Sequence, residues 1–386
     1  MNTFMGFGRP DGTVGVRNYV AIIPSVACAN GVAGAIARAV PGTVPLLHGH
    51  GCGRGGTDLL LHHRTLVNLA KNPNVAAVLI VGLGCEVIKP EGMALGISLS
   101  KKPVEHLSIQ DEGGTRRATA KGTDMARRLV EQAGAVKRAE FPLGALSLGL
   151  ECGGSDAFSG VTANPSVGKV ADWLVGEGGN VVLTETTEMI GTAHILSRRA
   201  KDEATGAEIV SRITAAERRT KDILGPLASY VIAPGNMDGG MSSIMEKSLG
   251  CIVKAGTSSI NQVVEYGEAP SQKGLVIMDG PGYDVESMTG VAATGCQVII
   301  FTTGRGNPLG FPIVPVIKVS STTQLFKKME DDIDVNAGTV LEGSSIEDVA
   351  GDIKGLLLKV LSGEPTKAEL NRQEGILCMY TTTPAF

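Results

Sequence analysis

The chain has 386 residues, 43% of them hydrophobic and 19% charged, with a formal net charge of -4. That length and apolar content suit a folded protein with a large core, and two domains are expected because single cores stop growing near about 250 to 300 residues. The charge balance excludes the basic footprint of a nucleic-acid binder, and no run approaches the roughly 18 to 20 apolar residues that span a bilayer.

Neither a nucleic acid nor a membrane is therefore an expected partner. Arg9, Asp11 and Arg17 fall where a signal peptide would carry its apolar core, so a cytoplasmic location is expected.

In chain order, short apolar runs end abruptly in glycine and polar residues. Val78 to Val81 precedes Gly82-Leu-Gly-Cys-Glu86, Leu146 to Leu150 precedes Glu151-Cys-Gly-Gly-Ser-Asp156, and Val181 to Leu183 precedes Thr184-Glu185. Leu275 to Met278 precedes Asp279-Gly-Pro-Gly-Tyr-Asp284, and Val298 to Phe301 precedes Thr302-Thr-Gly-Arg-Gly-Asn307. Continuous apolar runs of this length, bounded by turn signals, read as strands buried on both faces.

Helices are expected at Thr123 to Ala133, Val167 to Gly176, Glu188 to Arg199 and Ala207 to Ile223. The alternation predicts an α/β fold, with two or more layered domains of mostly parallel sheets. Ligands of such sheets bind outside the carboxyl ends of the strands, so the site is expected at the glycine-rich strand tips. Lys137-Arg-Ala-Glu-Phe-Pro142 reads as a link between an N-terminal domain, 1–140, and a C-terminal domain, 141–386, with a softer division near 226–240.

Seven cysteines stand at positions 28, 52, 85, 152, 251, 296 and 378 without a CxxC pair. In a reducing compartment that leaves packing, metal ligation or catalysis for them. The densest cluster is His48-Gly-His-Gly-Cys-Gly-Arg-Gly-Gly56 with Asp58, where imidazoles and a thiol suit iron or zinc and the glycines allow close approach. His62 and His63 follow on an expected helix and read as surface or packing residues.

A second cluster, Glu151 to Asp156, sets two carboxylates, the Cys152 thiol and the Ser155 hydroxyl at a strand end. A third holds Asn236, Asp238, Lys247 and Cys251. Gly304-Arg-Gly-Asn307 hints at phosphate binding, but no GxxxxGK[ST] and no helix-opening GxGxxG occurs, so no nucleotide cofactor is expected.

Together, Asp11-Gly-Thr-Val-Gly-Val-Arg-Asn18, Gly82-Leu-Gly-Cys-Glu86, Leu150-Glu-Cys-Gly-Gly-Ser-Asp156 and Thr162-Ala-Asn-Pro165 resemble the altronate/galactarate dehydratase family. Lys247-Ser-Leu-Gly-Cys251, Phe301-Thr-Thr-Gly-Arg-Gly306 and Asp331-Asp-Ile-Asp334 extend the likeness. The resemblance implies a lyase reaction on a small 2-hydroxy acid and a divalent metal, Fe(II) by preference. It also implies a separate small subunit carrying the domain that precedes this region in family dehydratases, and an oligomer.

Within the family the chain is most similar to the sulfo-lyase branch that takes (2R)-sulfolactate to pyruvate and sulfite, with dehydration of altronate or galactarate as the alternative. His50-Gly-Cys52 and Arg54 stand where sugar-acid enzymes tend to have a Tyr-Gly-Cys and a neutral loop. Cations there suit an anionic leaving group.

In that chemistry a base removes the proton next to the carboxylate, a β-substituent leaves, and the enol becomes a keto acid. A metal would stabilise the enediolate charge. Expected metal ligands are His48, Cys52 and Cys152, with Glu86, Glu151 or Cys251 as additional candidates; catalytic candidates are His50, Lys247 and Asp238. Arg54, Asn236, Ser155, Asp156 and Arg305 are expected to bind substrate. An iron-sulfur cluster ranks below a single iron because the cysteines are not clustered. A binding module would use the same pockets, and a zinc hydrolase would want the HExxH that is absent.

Overall fold

A computed structural model describes residues 2–230, 232–375 and 377–386. β1 (Thr3–Gly8) and β2 (Val14–Gly15) open the chain as an antiparallel pair. β3 (Tyr19–Pro24), β4 (Thr43–Pro45), β5 (Val75–Gly82) and β6 (Val104–Ser108) then form a four-stranded parallel sheet in the order β4-β3-β5-β6. All eight residues of β5 are buried, which is why its sequence is a continuous apolar run rather than an alternation. The segment read as a link holds a strand of its own, β7 (Ala139–Pro142), which returns antiparallel to β1.

The second series is β8 (Ser147–Cys152), β9 (Asn180–Leu183), β10 (Ile260–Val264), β11 (Gly274–Met278), β12 (Val298–Thr303), β13 (Val316–Ser320) and β14 (Val335–Asn336). They form one sheet in the order β10-β11-β9-β8-β12-β13-β14, parallel throughout. The fold is thus α/β with mostly parallel sheets. The order reverses beside β8, with β9 to one side and β12 to the other, and such a reversal opens a crevice at the carboxyl ends.

Leu148, Leu150, Ile300 and Ile317 face a core closed by the helices Ala163–Gly176 and Ile346–Leu361. Ile299, Phe301 and Met278 face the other way, into a core shared with Ile23, Val78 and Ile80 of the first sheet through helices Gly56–Lys71 and Asp284–Ala293. Burying each such side chain is worth roughly 1.5 to 3 kcal/mol, so the two sheets are joined by apolar packing and not only by the chain between them.

The helix expectations at 123–133, 167–176 and 207–223 lie inside the helices Thr115–Ala135, Ala163–Gly176 and Glu203–Leu224. The one at Glu188 to Arg199 is corrected: Gly191 takes a left-handed conformation at φ 83° and breaks it, leaving only short turns and Ala193–Leu196. The softer division near 226–240 passes through Val231, outside the described residues. Among the described residues no helix is long and apolar enough to cross a membrane.

Candidate active site and metal centre

Cys152 ends β8, beside Thr302 of β12 in the parallel register. β9, its other neighbour, ends at Leu183, and the chain turns through Glu185 in the left-handed region at φ 71°. A left-handed non-glycine residue costs conformational energy and persists where the surroundings fix it. Here it opens the single 3-10 turn Thr186–Glu188, which brings Glu185 and Glu188 to the tip of β8.

The helix Ile244–Ile252 supplies the rest. Ser243 caps it, accepting from the Glu246 N–H, and Lys247 and Cys251 follow four residues apart, with Lys254 three further on in the turn Val253–Ala255. That spacing puts all three on one face.

The outcome is a buried group of Cys152, Glu185, Glu188 and Cys251 whose ligand atoms all lie within 4.8 Å of one another. The Cys152 thiol is 3.4 Å from Glu188 Oε2 and 3.6 Å from Cys251 Sγ, and its N–H donates to Glu185 Oε2 at 3.3 Å. Lys254 Nζ, fully buried, donates to Cys152 Sγ at 3.0 Å, to Cys251 Sγ at 3.1 Å and to Glu185. Lys247 pairs with Glu188.

The thiols share a hydrogen bond that raises the Cys152 pKa, with burial adding to it, and lowers that of Cys251. Burial pushes Glu185 well up as well. Burial alone would lower Lys254, but the thiols and carboxylates around it hold its ammonium well above the usual range.

This donor set calls for positive charge. Two soft sulfurs and two hard oxygens suit a borderline divalent ion, Glu185 Oε1 is buried with no hydrogen-bond partner among the described residues, and an ammonium already sits among three of the four groups. The residues present therefore fit a metal, with two thiols fitting one ion better than an iron-sulfur cluster, which is held by thiolates.

Glu151 projects from the other face of β8, where Ser287 donates to it at 2.6 Å and burial, then Asp284, raises its carboxyl. Asn236 is buried, its amide donating to the Ser155 carbonyl and its oxygen accepting from the Ala233 N–H. Asp156 accepts from Ser159 and Ser321 and so braces the strand tips. Asp238 and the Arg305 side chain are exposed.

The histidine loop lies at the other sheet. His48 Nε2 meets the Pro24 carbonyl at 2.7 Å while its Nδ1 accepts from the His50 N–H, so both ring nitrogens are engaged. His50 Nε2 accepts from the Met379 N–H, and Arg54 Nη1 donates to the Thr383 carbonyl. Burial, with neighbouring histidines adding to it, takes His48 down to about 4 and His50 to about 3, leaving both rings neutral near pH 7.

Asp58 binds Thr382 and Thr383 through backbone and hydroxyl groups. Glu86 accepts from Ser25 at 2.6 Å and from the N–H groups of Leu83 and Gly84, tying the tips of β3 and β5. Cys52 and Cys85 are exposed, and His62, read as surface or packing, is fully buried. Of the expected ligands the structure thus gathers Cys152 and Cys251, with Lys247 beside them. Glu185, Glu188 and Lys254 went unassigned in the sequence, although Glu185 closes a strand-tip signal and Lys254 continues the helical spacing of Lys247 and Cys251.

A buried thiol and carboxylate group thus lies at the switch point of the parallel sheet, and the chain is a lyase of the D-galactarate/altronate dehydratase family. Residues 6–134 match the family's "D-galactarate dehydratase/Altronate hydrolase, second domain" and residues 143–383 its "D-galactarate/Altronate dehydratase, C-terminal". Altronate dehydratase of Bacillus subtilis is 36% identical over 96% of this chain and 76% of its own length. Galactarate dehydratase (L-threo-forming) of Escherichia coli is 36% identical over 94% and 73%. The (2R)-sulfolactate sulfo-lyase subunit beta of Chromohalobacter salexigens is 35% identical over 97% of both chains.

Proposed function

We propose that the chain catalyses metal-assisted β-elimination from a 2-hydroxy acid, with (2R)-sulfolactate as the first candidate substrate. The observation that carries the reaction is the buried Cys152, Glu185, Glu188 and Cys251 group with two lysines against it. When bound there, a thiophilic divalent ion, with Fe(II) the first to test, supplies Lewis-acid stabilisation for charge developing on the carboxylate and 2-hydroxyl oxygens.

Lys247 holds its proton, because Glu188 raises it against the pull of burial, so its Nζ is a cationic donor for a substrate carboxylate or sulfonate. It lines, with Glu188, a cavity of about 410 Å³. In the elimination the C2 proton goes to a base, the C3–S bond breaks with its electron pair leaving on sulfite, and the enol takes up a proton to become pyruvate. The likeness to a sulfo-lyase subunit and the lysines beside the metal group support the sulfonate reading. A sugar acid is the second reading, favoured by the likeness to altronate and galactarate dehydratases.

A separate small subunit is proposed because the sulfo-lyase relative is named as a subunit. Anaerobic protein, with and without a candidate small partner, is to be assayed for keto-acid release from sulfolactate, altronate and galactarate, alongside metal analysis. Pyruvate and sulfite in equal amounts, dependent on bound metal, is the expected result. Keto acid from altronate alone would move the substrate to the second reading, and full turnover by metal-free protein would sink the mechanism.

A further inference from the structure

The carboxyl ends of the four-stranded sheet carry thiols as well. Its order β4-β3-β5-β6 reverses at β3, with β4 to one side and β5 to the other, the arrangement that opens a crevice beyond the strand ends. Each of these three adjacent strands is followed by a loop with one cysteine. Cys28 lies in the turn Ala27–Ala29 after β3, Cys52 between β4 and the helix Gly56–Lys71, and Cys85 between β5 and the helix Pro90–Ser98. All three are exposed. Free cysteine is among the most buried residue types, so packing gives no reason for three thiols on one rim.

The loops are tied to one another pair by pair. The Ala27 N–H donates to the His50 carbonyl at 2.8 Å and the Asn30 amide to the His48 carbonyl at 2.9 Å, which joins the Cys28 turn to the Cys52 loop. The Ser25 hydroxyl donates to Glu86 Oε1 at 2.6 Å, joining the tip of β3 to the Cys85 loop. The Ile88 N–H donates to the Gly51 carbonyl at 3.4 Å, joining the Cys85 loop to the Cys52 loop. Gly51, left-handed at φ 108°, lies so close to the tip of β3 that a Cβ there would meet the Ser25 carbonyl oxygen at 2.3 Å.

Among the described residues only Cys152, Glu185, Glu188 and Cys251 bring three or more metal donors within 4.8 Å of one another. The rim thiols are therefore spread more widely than the donors of that single-ion group. An iron-sulfur cluster, several irons and sulfides wide, reaches thiolates that one ion cannot.

We propose that Cys28, Cys52 and Cys85 hold an iron-sulfur cluster, with one iron left to a ligand other than cysteine. It is a second metal site, separate from the Cys152 group, and it does not depend on the lyase reading. Cys52 serves this site and not the ion beside Cys152.

The test reconstitutes the reduced chain anaerobically with ferrous iron and inorganic sulfide, removes the excess by gel filtration, and measures acid-labile sulfide, iron and the visible thiolate-to-iron absorption. Bound sulfide with that absorption is expected. Cys28→Ser, Cys52→Ser and Cys85→Ser are each expected to lose most of it, while Cys152→Ser and Cys378→Ser keep it. The three rim positions are exposed and tolerate a polar side chain, and circular dichroism confirms that each variant is folded. An unaltered chain that binds iron without sulfide overturns the proposal, as does full retention of the sulfide by any one of the three rim variants.

Discussion

The carboxyl ends of the two parallel sheets carry similar raw chemistry and dispose of it in opposite ways. At the four-stranded sheet, two histidines, an arginine and two acids direct most of their polar atoms at backbone and hydroxyl groups, with His50 Nδ1 unpartnered among the described residues. His48 binds Pro24, His50 binds Met379, Arg54 and Asp58 bind residues 382 and 383, and Glu86 binds the turn that carries it. At the seven-stranded sheet, two thiols, two acids and two lysines point at one another. Buried polar groups satisfied by backbone hold a fold together, whereas mutually facing ionisable groups desolvated in a crevice keep chemistry available. On the proposed function, the difference separates a structural polar loop from a reactive one.

The largest expected effect follows from removing one thiol of the second region. Cys152→Ala should abolish stoichiometric metal binding and lower keto-acid release about a thousandfold, roughly 4 kcal/mol of transition-state stabilisation. Cys52→Ala, on the exposed loop, should leave the metal in place. Metal analysis of both purified variants decides the matter: if Cys52→Ala loses the ion and Cys152→Ala keeps it, the roles of the two regions are reversed.

A smaller effect is expected in stability, and it belongs to the first region. His48 is neutral in the folded chain, where burial lowers its pKa to about 4, but takes up a proton near pH 6.5 once unfolded. Between those values the unfolded state binds the extra proton, so stability is intact above about pH 6.5 and falls as the pH drops toward 4. At pH 5 this amounts to about 2 kcal/mol from His48. Urea unfolding at pH 7 and pH 5 measures it, and His48→Gln should reduce the difference while leaving the share of His50, whose pKa is lowered to about 3; an unfolding midpoint independent of pH would show that the histidine loop is not buried as described.

How much of this could be read in the sequence depended on the range over which each signal acts. The parallel sheets announced themselves because a strand buried on both faces must be apolar throughout, as β5 is. Cys152 and Cys251 stood out beside acids and glycines. The candidate metal group itself was illegible because Cys152, Glu185 and Cys251 meet only through the pairing of β8 with β9 and the docking of the helix Ile244–Ile252, which no local spacing encodes. Glu188 was further hidden by the helix expected to start there, which Gly191 breaks. Conversely, the density of His48, His50, Cys52 and Arg54 over seven positions drew attention to a loop whose role depends on residues 377–386, more than three hundred positions away.

Arg54 gives the finest test of the comparison. Beside Cys52 in the sequence it reads as a cation for a departing anion, which would make its loss worth ten- to a hundredfold in rate. In the structure its Nη1 donates at 2.7 Å to the Thr383 carbonyl, and its neighbour His50 is neutral. The remaining guanidinium donors are only partly shielded, so the residue acts chiefly as a tie between the loop and the end of the chain. Arg54→Gln is therefore expected to cost about 1 kcal/mol of stability, the worth of one hydrogen bond at a half-buried site, and to change kcat/KM on the preferred acid by less than about threefold. Unfolding and steady-state kinetics on the same preparation separate the outcomes. A hundredfold fall in kcat/KM with unchanged stability would bring the histidine loop into the reaction, and the division between a structural tip and a reactive tip would have to be abandoned.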